Sequence, residues 1–254
     1  MFEKAKKLIS LWTGRQTEWR LVYKAALWFG SLLLVYIAGF RLWAVGVFLA
    51  IAVFMYARSS AEKKSFRGSF LVLIAVNLMF LERLSAWKTG MLLEFAGILG
   101  LTALFFVYAG LSNLLFRERI KIHEGGSMLL VFLLGVSGAH LLKLETFWLF
   151  NLLLVSATTL LIMEHLEAEG IRRKKSALQG LGSALVMGET AWFLAFLPLH
   201  PLSLSAFLVL LFLALKTALI AYKRGELGTQ TSLKQGFVYV SIALLIFMSG
   251  SWGA

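Results

Sequence analysis

The chain has 254 residues, of which 59% are hydrophobic and only 15% charged, and its mean hydropathy is +0.82. Soluble domains carry about 45–50% apolar and about 25% charged residues, so this composition excludes an ordinary soluble enzyme and a disordered chain. Cys is absent and all 13 acidic residues are Glu, which excludes disulfides, thiolate metal sites and chemistry that requires Asp.

Nine apolar stretches approach the roughly 17–25 helical residues that cross about 30 Å of hydrocarbon. They cover residues 21–40, 42–57, 68–84, 91–116, 127–142, 147–163, 177–197, 204–222 and 237–251. The predicted fold is therefore all-α, a polytopic transmembrane helical bundle of about nine spans. Only Gly39-Phe40-Arg41 separates the first two stretches, so a re-entrant hairpin there is an alternative that leaves seven or eight crossings.

The cationic residues orient this bundle, because short cytoplasmic loops carry an excess of Lys and Arg. Of the 25 cations, 19 lie in the N-terminal segment and in every second loop after it, whereas the opposite loops hold four. This alternation predicts a cytoplasmic N-terminus and, with nine crossings, a C-terminus outside. It also explains the net charge of +12 without a nucleic-acid partner, and the predicted location is the cell (plasma or inner) membrane.

Residues 1–20 are predicted to form a basic amphipathic helix at the inner interface, and residues 21–254 a single transmembrane domain. Phe2, Leu8, Leu11 and Trp12 oppose the lysines of this segment. Such a helix favours anionic lipid at the cytoplasmic face. The bilayer is thus the expected partner, and a membrane-protein partner or a second copy of the chain is an alternative.

Two ionisable residues lie deep within predicted spans, where charge is costly and commonly functional. Glu189 is near the centre of the seventh span and Lys216 is well inside the eighth. The short loop between these spans places the two residues at depths that differ by about 4–5 Å, so we predict a Glu189–Lys216 ion pair. A stripe of small residues beside Glu189 predicts that it faces protein. A role in fixing helix register alone is the alternative.

A looser set of polar residues is predicted towards the outer face. Its members are the carboxylates Glu82, Glu94 and Glu145, the imidazoles His140 and His200, and the amides Asn151 and, deeper in the third span, Asn77. Their spacing matches no metal-ligand motif, so we predict no metal site. His123 and His165 are expected at the basic cytoplasmic interface, without an assigned function.

Three function classes fit these features. A small permease or ion-coupled carrier would use the buried Glu–Lys pair, whereas a non-catalytic scaffold or assembly component would use the basic inner face. A membrane-embedded lipid enzyme would use Glu94, Ser137 or His140. Gly135-Val136-Ser137-Gly138 resembles the nucleophile motif of rhomboid proteases, but the last two spans contain no His to pair with Ser137. No P-loop or Rossmann glycine pattern is present, so no cofactor is predicted.

Overall fold

The computed structural model describes residues 2–57, 67–87, 90–112, 118–142, 146–197, 199–225 and 229–249. All regular structure in these ranges is helical, as predicted, and a 3₁₀ turn, Ala139–Leu142, follows α5. The helices are α1 (Phe2–Ile37), α2 (Leu42–Ala57), α3 (Arg67–Trp87), α4 (Met91–Ser112), α5 (Arg119–Gly138), α6 (Phe147–Ala168), α7 (Arg173–Ala195), α8 (Pro201–Arg224) and α9 (Thr229–Ser249).

Each predicted span overlaps one of these helices, and six of the described helices are long and apolar enough to cross a membrane. These six are α1 from Trp19 onward, α3, α4, α5 with its 3₁₀ turn, α6 and α8. α2 and the apolar part of α9 are shorter. α7 is outside the six because its basic first turn, its Gln and Glu and its many small residues make it less apolar. The chain is therefore a helical protein with several membrane-spanning candidates.

α1 runs without a break from Phe2 to Ile37, so no interruption marks the predicted boundary at residue 20. The helix ends in a Schellman-type turn, in which the Gly39 amide donates to the Tyr36 carbonyl and the Phe40 amide to the Val35 carbonyl, both at 3.1 Å. Gly39 and Phe40 both have left-handed φ angles, 62° and 59°, which lets α2 begin after only four intervening residues. The conformation is natural for Gly39 and unusual for Phe40.

The chain divides into two compact units. The first unit comprises Met1–Phe66 and Leu81–Arg119, and the second comprises Arg67–Phe80 and Ile120–Ala254. The core of the first unit is aromatic: the Trp28 ring stacks on Phe105 with centroids 4.3 Å apart and meets Phe48 edge-on at 4.9 Å. All three side chains are buried, so they join α1, α2 and α4.

The second unit is built on close, antiparallel packing of α6 and α7. A Cβ atom on Gly180 would lie 2.9 Å from the Thr159 carbonyl oxygen, and one on Gly188 would lie 2.6 Å from Asn151 Oδ1. Gly180, Ala184, Gly188 and Ala191 are all buried. The small residues of α7 thus form a packing face, because they let the two backbones approach.

α8 packs on several elements of the second unit. Its Ser205 fits against Gly135 of α5, and its Thr217 accepts a 3.2 Å hydrogen bond from the Tyr239 hydroxyl of α9. At its C-terminal end, Arg224 pairs with Glu169 at 3.2 Å, just past the end of α6. α6 and α8 therefore end on the same side of the unit.

Candidate functional site

Six polar side chains from four helices of the second unit lie together on the side of the unit where α6 and α8 end. We call them the polar cluster: Ser69 of α3, His123 and Glu124 of α5, Glu164 and His165 of α6, and Lys216 of α8. As whole residues, all except Glu124 are at most 4% exposed, whereas the side chain of Glu124 is 34% exposed. Such burial of ionisable groups within apolar helices is rare and marks candidate functional positions.

Glu164 is the centre of the cluster. Its carboxylate accepts hydrogen bonds from the backbone amides of Gly68 and Ser69 and from the Ser69 hydroxyl. α3 begins at Arg67, so these amides are among those that lack a partner within the helix. Glu164 thus caps α3 from another helix, where the helix dipole favours a negative charge.

Ser69 links Glu164 to His123. Its oxygen is 2.7 Å from His123 Nε2, and His123 Nε2 is itself 3.3 Å from Glu164 Oε2. A hydroxyl has one hydrogen and two lone pairs. With that hydrogen donated to an ionised Glu164, Nε2 of His123 must carry a proton and donate to Ser69. With Glu164 protonated, Ser69 can donate to an unprotonated Nε2 instead. The three groups therefore support two proton arrangements.

Lys216 pairs with Glu124, not with Glu189 as predicted. Glu189 lies on the exposed face of α7, beside Leu185, Val186 and Trp192. Successive residues of a helix are rotated by about 100°, which turns Glu189 away from its neighbour Gly188 and from the packing face. The prediction was wrong about both depth and face: Glu189 follows Gly188, which packs against Asn151 near the start of α6, whereas the cluster with Lys216 lies at the other end of α6. Lys216 is buried, as predicted.

His165 is a second buried imidazole in the cluster. Its ring lies 4.3 Å from the ring of His123 and 6.4 Å from that of Phe212, centroid to centroid. Its Nε2 atom is buried and has no hydrogen-bond partner in the described part of the chain. His123 and His165 are thus buried within the unit, at 1% and 3% exposure, and their position at the cytoplasmic interface stays a prediction.

The structure does not join the outer polar residues of the second unit. Asn77 is fully buried with neither amide atom hydrogen-bonded, His140 is half-buried in the 3₁₀ turn, and Asn151 packs against Gly188. No hydrogen bond links these three side chains in the described residues. His200 accepts the Leu202 amide at 3.3 Å and so caps α8. Ser137 donates to its own helix at the Leu133 carbonyl, at 2.7 Å, which explains it without a nucleophilic role.

In the first unit, Glu82 is exposed and Glu94 accepts a hydrogen bond from the Tyr36 hydroxyl. This bond joins the end of α1 to the start of α4. Glu145 lies outside the described residues. Across the described part of the chain, no three His or Glu side chains are arranged to hold a metal ion.

Sequence reasoning did not single out Ser69, Glu124 or Glu164. One usable signal was the loop alternation, which puts the start of α3, the start of α5 and the end of α6 at one membrane face. His123-Glu124 and Glu164-His165 are adjacent pairs at two of these ends. Their convergence could have been proposed from that alternation, but not their mutual contacts.

Residues 125–249 match a family described as Protein of unknown function (DUF5656). The match covers just under half of the chain, from within α5 to the end of α9, and includes Glu164, His165 and Lys216. The family description names no activity. The comparison with curated proteins gave no match, and neither did the comparison with solved structures.

Proposed function

We propose that the protein is a multi-pass membrane carrier that moves or couples to protons. The observation that carries this proposal is the polar cluster, in which Ser69, His123 and Glu164 are hydrogen-bonded and at least 97% buried. Ionisable side chains buried between membrane-spanning helices are costly and are typical of ion pathways and proton relays.

The proton would move by a shift along existing hydrogen bonds. His123 Nε2 gives its proton to Ser69 Oγ, and Ser69 passes its own hydrogen to Glu164 Oε2. One N–H and one O–H bond break and two O–H bonds form, so the net change is transfer of one proton from the imidazole to the carboxylate. The second imidazole, His165, lies against the first with ring centroids 4.3 Å apart, and we propose that it is the group from which His123 regains a proton.

A scaffold or assembly component is the second candidate, and the capping of α3 by Glu164 favours it. A carboxylate that holds two backbone amides and a hydroxyl has a structural role whether or not protons move. Buried polar groups of this kind can serve to fix the pairing of helices. The two candidates differ in what happens to stability and to proton movement when Glu164 changes.

We further propose that the cluster lies on the cytoplasmic side of the cell membrane, with anionic lipid at that face. The proposal is supported by the basic residues at the same helix ends, such as Arg173, Lys174 and Lys175 at the start of α7. Cations in this position favour an anionic leaflet and a cytoplasmic location.

The test is proton uptake into vesicles. The purified chain is reconstituted with an entrapped pH-sensitive dye, and a potassium diffusion potential drives protons inward, with and without a sodium gradient. We expect uptake above that of empty vesicles, and Glu164→Gln should slow it by about tenfold or more, as expected for loss of a positioned proton-transfer group.

Glu189→Gln is the matched control, because Glu189 is an exposed carboxylate of α7 outside the cluster. It should leave uptake unchanged. Absence of uptake under both conditions would overturn the carrier proposal. If wild-type vesicles take up no protons and Glu164→Gln lowers only the unfolding temperature, the scaffold candidate is favoured.

A further inference from the structure

A column of unsatisfied polar atoms runs along α6. Asn151, Thr158 and His165 follow one another at intervals of seven residues, which keeps them on one helix face to within about 40°. Each has a buried side-chain atom without a hydrogen-bond partner in the described residues: Asn151 Oδ1, Thr158 Oγ1 and His165 Nε2. The column ends at His165, inside the polar cluster.

Thr158 differs from three other threonines of the apolar helices. Thr102, Thr159 and Thr190 each donate to the carbonyl four residues earlier in their own helix, at 2.7–2.8 Å. This is the ordinary way for a hydroxyl to be satisfied in an apolar helix. The Thr158 side chain is fully buried and its hydroxyl makes no such bond. It is therefore directed into the interior of the unit instead of towards its own backbone.

Asn77 of α3 adds two more unsatisfied atoms at about the same depth. Ser69 and Glu164 are in contact. Asn77 lies eight residues after Ser69 in α3, and Thr158 lies six residues before Glu164 in α6. At 1.5 Å per residue these positions are about 12 and 9 Å from the contact. Asn77 is fully buried, and neither its oxygen nor its nitrogen has a partner in the described chain.

Unsatisfied buried polar groups destabilise a fold, so proteins normally provide them with hydrogen-bond partners, often bound water. We infer that Asn151, Thr158, Asn77 and His165 line a file of bound water molecules that carries protons to Ser69, His123 and Glu164. This inference rests on the proposed function for the proton transfer, but not for the water. Along the file each water accepts a proton on one side and releases a different one on the other. His165 Nε2 accepts the last proton and the imidazole releases its other N–H proton towards His123.

The first experiment tests the water file without reference to transport. The chain has no Cys, so Thr158→Cys creates the only S–H group, and its infrared stretching band shifts when deuterium from D₂O replaces the proton. Thr159→Cys is the control at the same depth, because the Thr159 hydroxyl is satisfied by Val155. We expect Thr158→Cys to exchange roughly tenfold faster or more, since a site without water must wait for local opening. Equal rates would overturn the inference.

The second experiment measures proton uptake in the reconstituted vesicles. Thr158→Val removes the hydroxyl with little change of shape and should slow uptake several-fold, whereas Thr158→Ser and Thr159→Val should not. Rapid exchange with unaltered uptake in Thr158→Val would overturn proton delivery by the file. Rapid exchange in a wild-type protein that takes up no protons would retain the bound water and reject the proposed function. Slow exchange of Thr158→Cys together with normal proton uptake by the wild type would reject the water file and retain the proposed function.

Discussion

Burial decides which member of the Lys216–Glu124 pair matters more to stability. The Lys216 side chain is 5% exposed and that of Glu124 is 34% exposed. Removing the carboxylate leaves a buried ammonium group without its anionic partner, which is strongly destabilising. Removing the ammonium leaves a carboxylate that is still partly accessible. The two deletions are therefore not equivalent.

We expect Glu124→Gln to destabilise the protein more than Lys216→Met does, by up to about 3–5 kcal/mol for the unpaired buried charge. The double variant should be more stable than Glu124→Gln alone, because Met fills the position of Lys216 without a charge. Denaturant unfolding in detergent, followed by circular dichroism, measures these differences. Glu189→Gln should unfold like the wild type. If it is the more destabilising of the two Glu variants, the pairing described above is wrong.

The same residues show how far sequence reasoning reaches. The burial of Lys216 was predictable, because a charge well inside an apolar run has nowhere else to go. Its partner was not, because α7 ends at Ala195 and α8 begins at Pro201, so Glu189 is six residues from its helix end whereas Lys216 is fifteen from its own. The direction of Glu189 also depends on how α7 is rotated, and Glu124 reaches Lys216 from a helix far away in sequence. Contacts such as Ser69 with Glu164, 95 residues apart, are set by the packing of the whole unit.

At the level of elements, α6 and α7 are held by backbone proximity more than by large side chains. Gly180 faces the Thr159 carbonyl oxygen, which belongs to the backbone and cannot rotate away. Gly188 faces the Asn151 side chain, which can move. Gly182 has open space around it. Glycine-to-alanine changes should therefore alter the free energy of unfolding in opposite directions at different positions of α7.

Gly180→Ala should destabilise the protein by about 1–3 kcal/mol, the usual cost of forcing an extra group into a packed interface. Gly182→Ala on the neighbouring face should instead be neutral or stabilising by up to about 1 kcal/mol, because Ala favours the helix. Thermal unfolding of both variants in the same detergent gives the comparison. Equal effects would contradict the close approach of α6 and α7 at Gly180.

At the scale of the whole molecule, the alternation of basic and less basic loops predicts that successive helices run in opposite directions. The described contacts of the second unit agree with this prediction. The contact of Ser69 with Glu164, and that of Arg224 with Glu169, place the start of α3 beside the ends of α6 and α8. An alternating path through a bilayer requires this arrangement. The short α2 and the polar α7 were assigned as spans from the apolar runs alone, and length and hydropathy do not by themselves place them across a membrane. The absolute orientation rests on the positive-inside rule.

Single-cysteine labelling tests that orientation, and the Cys-free sequence needs no background mutations. Thr146 precedes α6 and Lys174 lies in the first turn of α7, and both are exposed. They lie at opposite ends of the antiparallel α6–α7 pair. In intact bacterial cells a membrane-impermeant maleimide should label Thr146→Cys and should label Lys174→Cys only after permeabilisation, because the basic loop is retained in the cytoplasm.

Met187→Cys, fully buried in α7, is the control that should remain unlabelled in both cases. The reverse pattern would invert the topology and place the polar cluster towards the outside, and labelling of both exposed sites in intact cells would mean that α6 does not span the membrane.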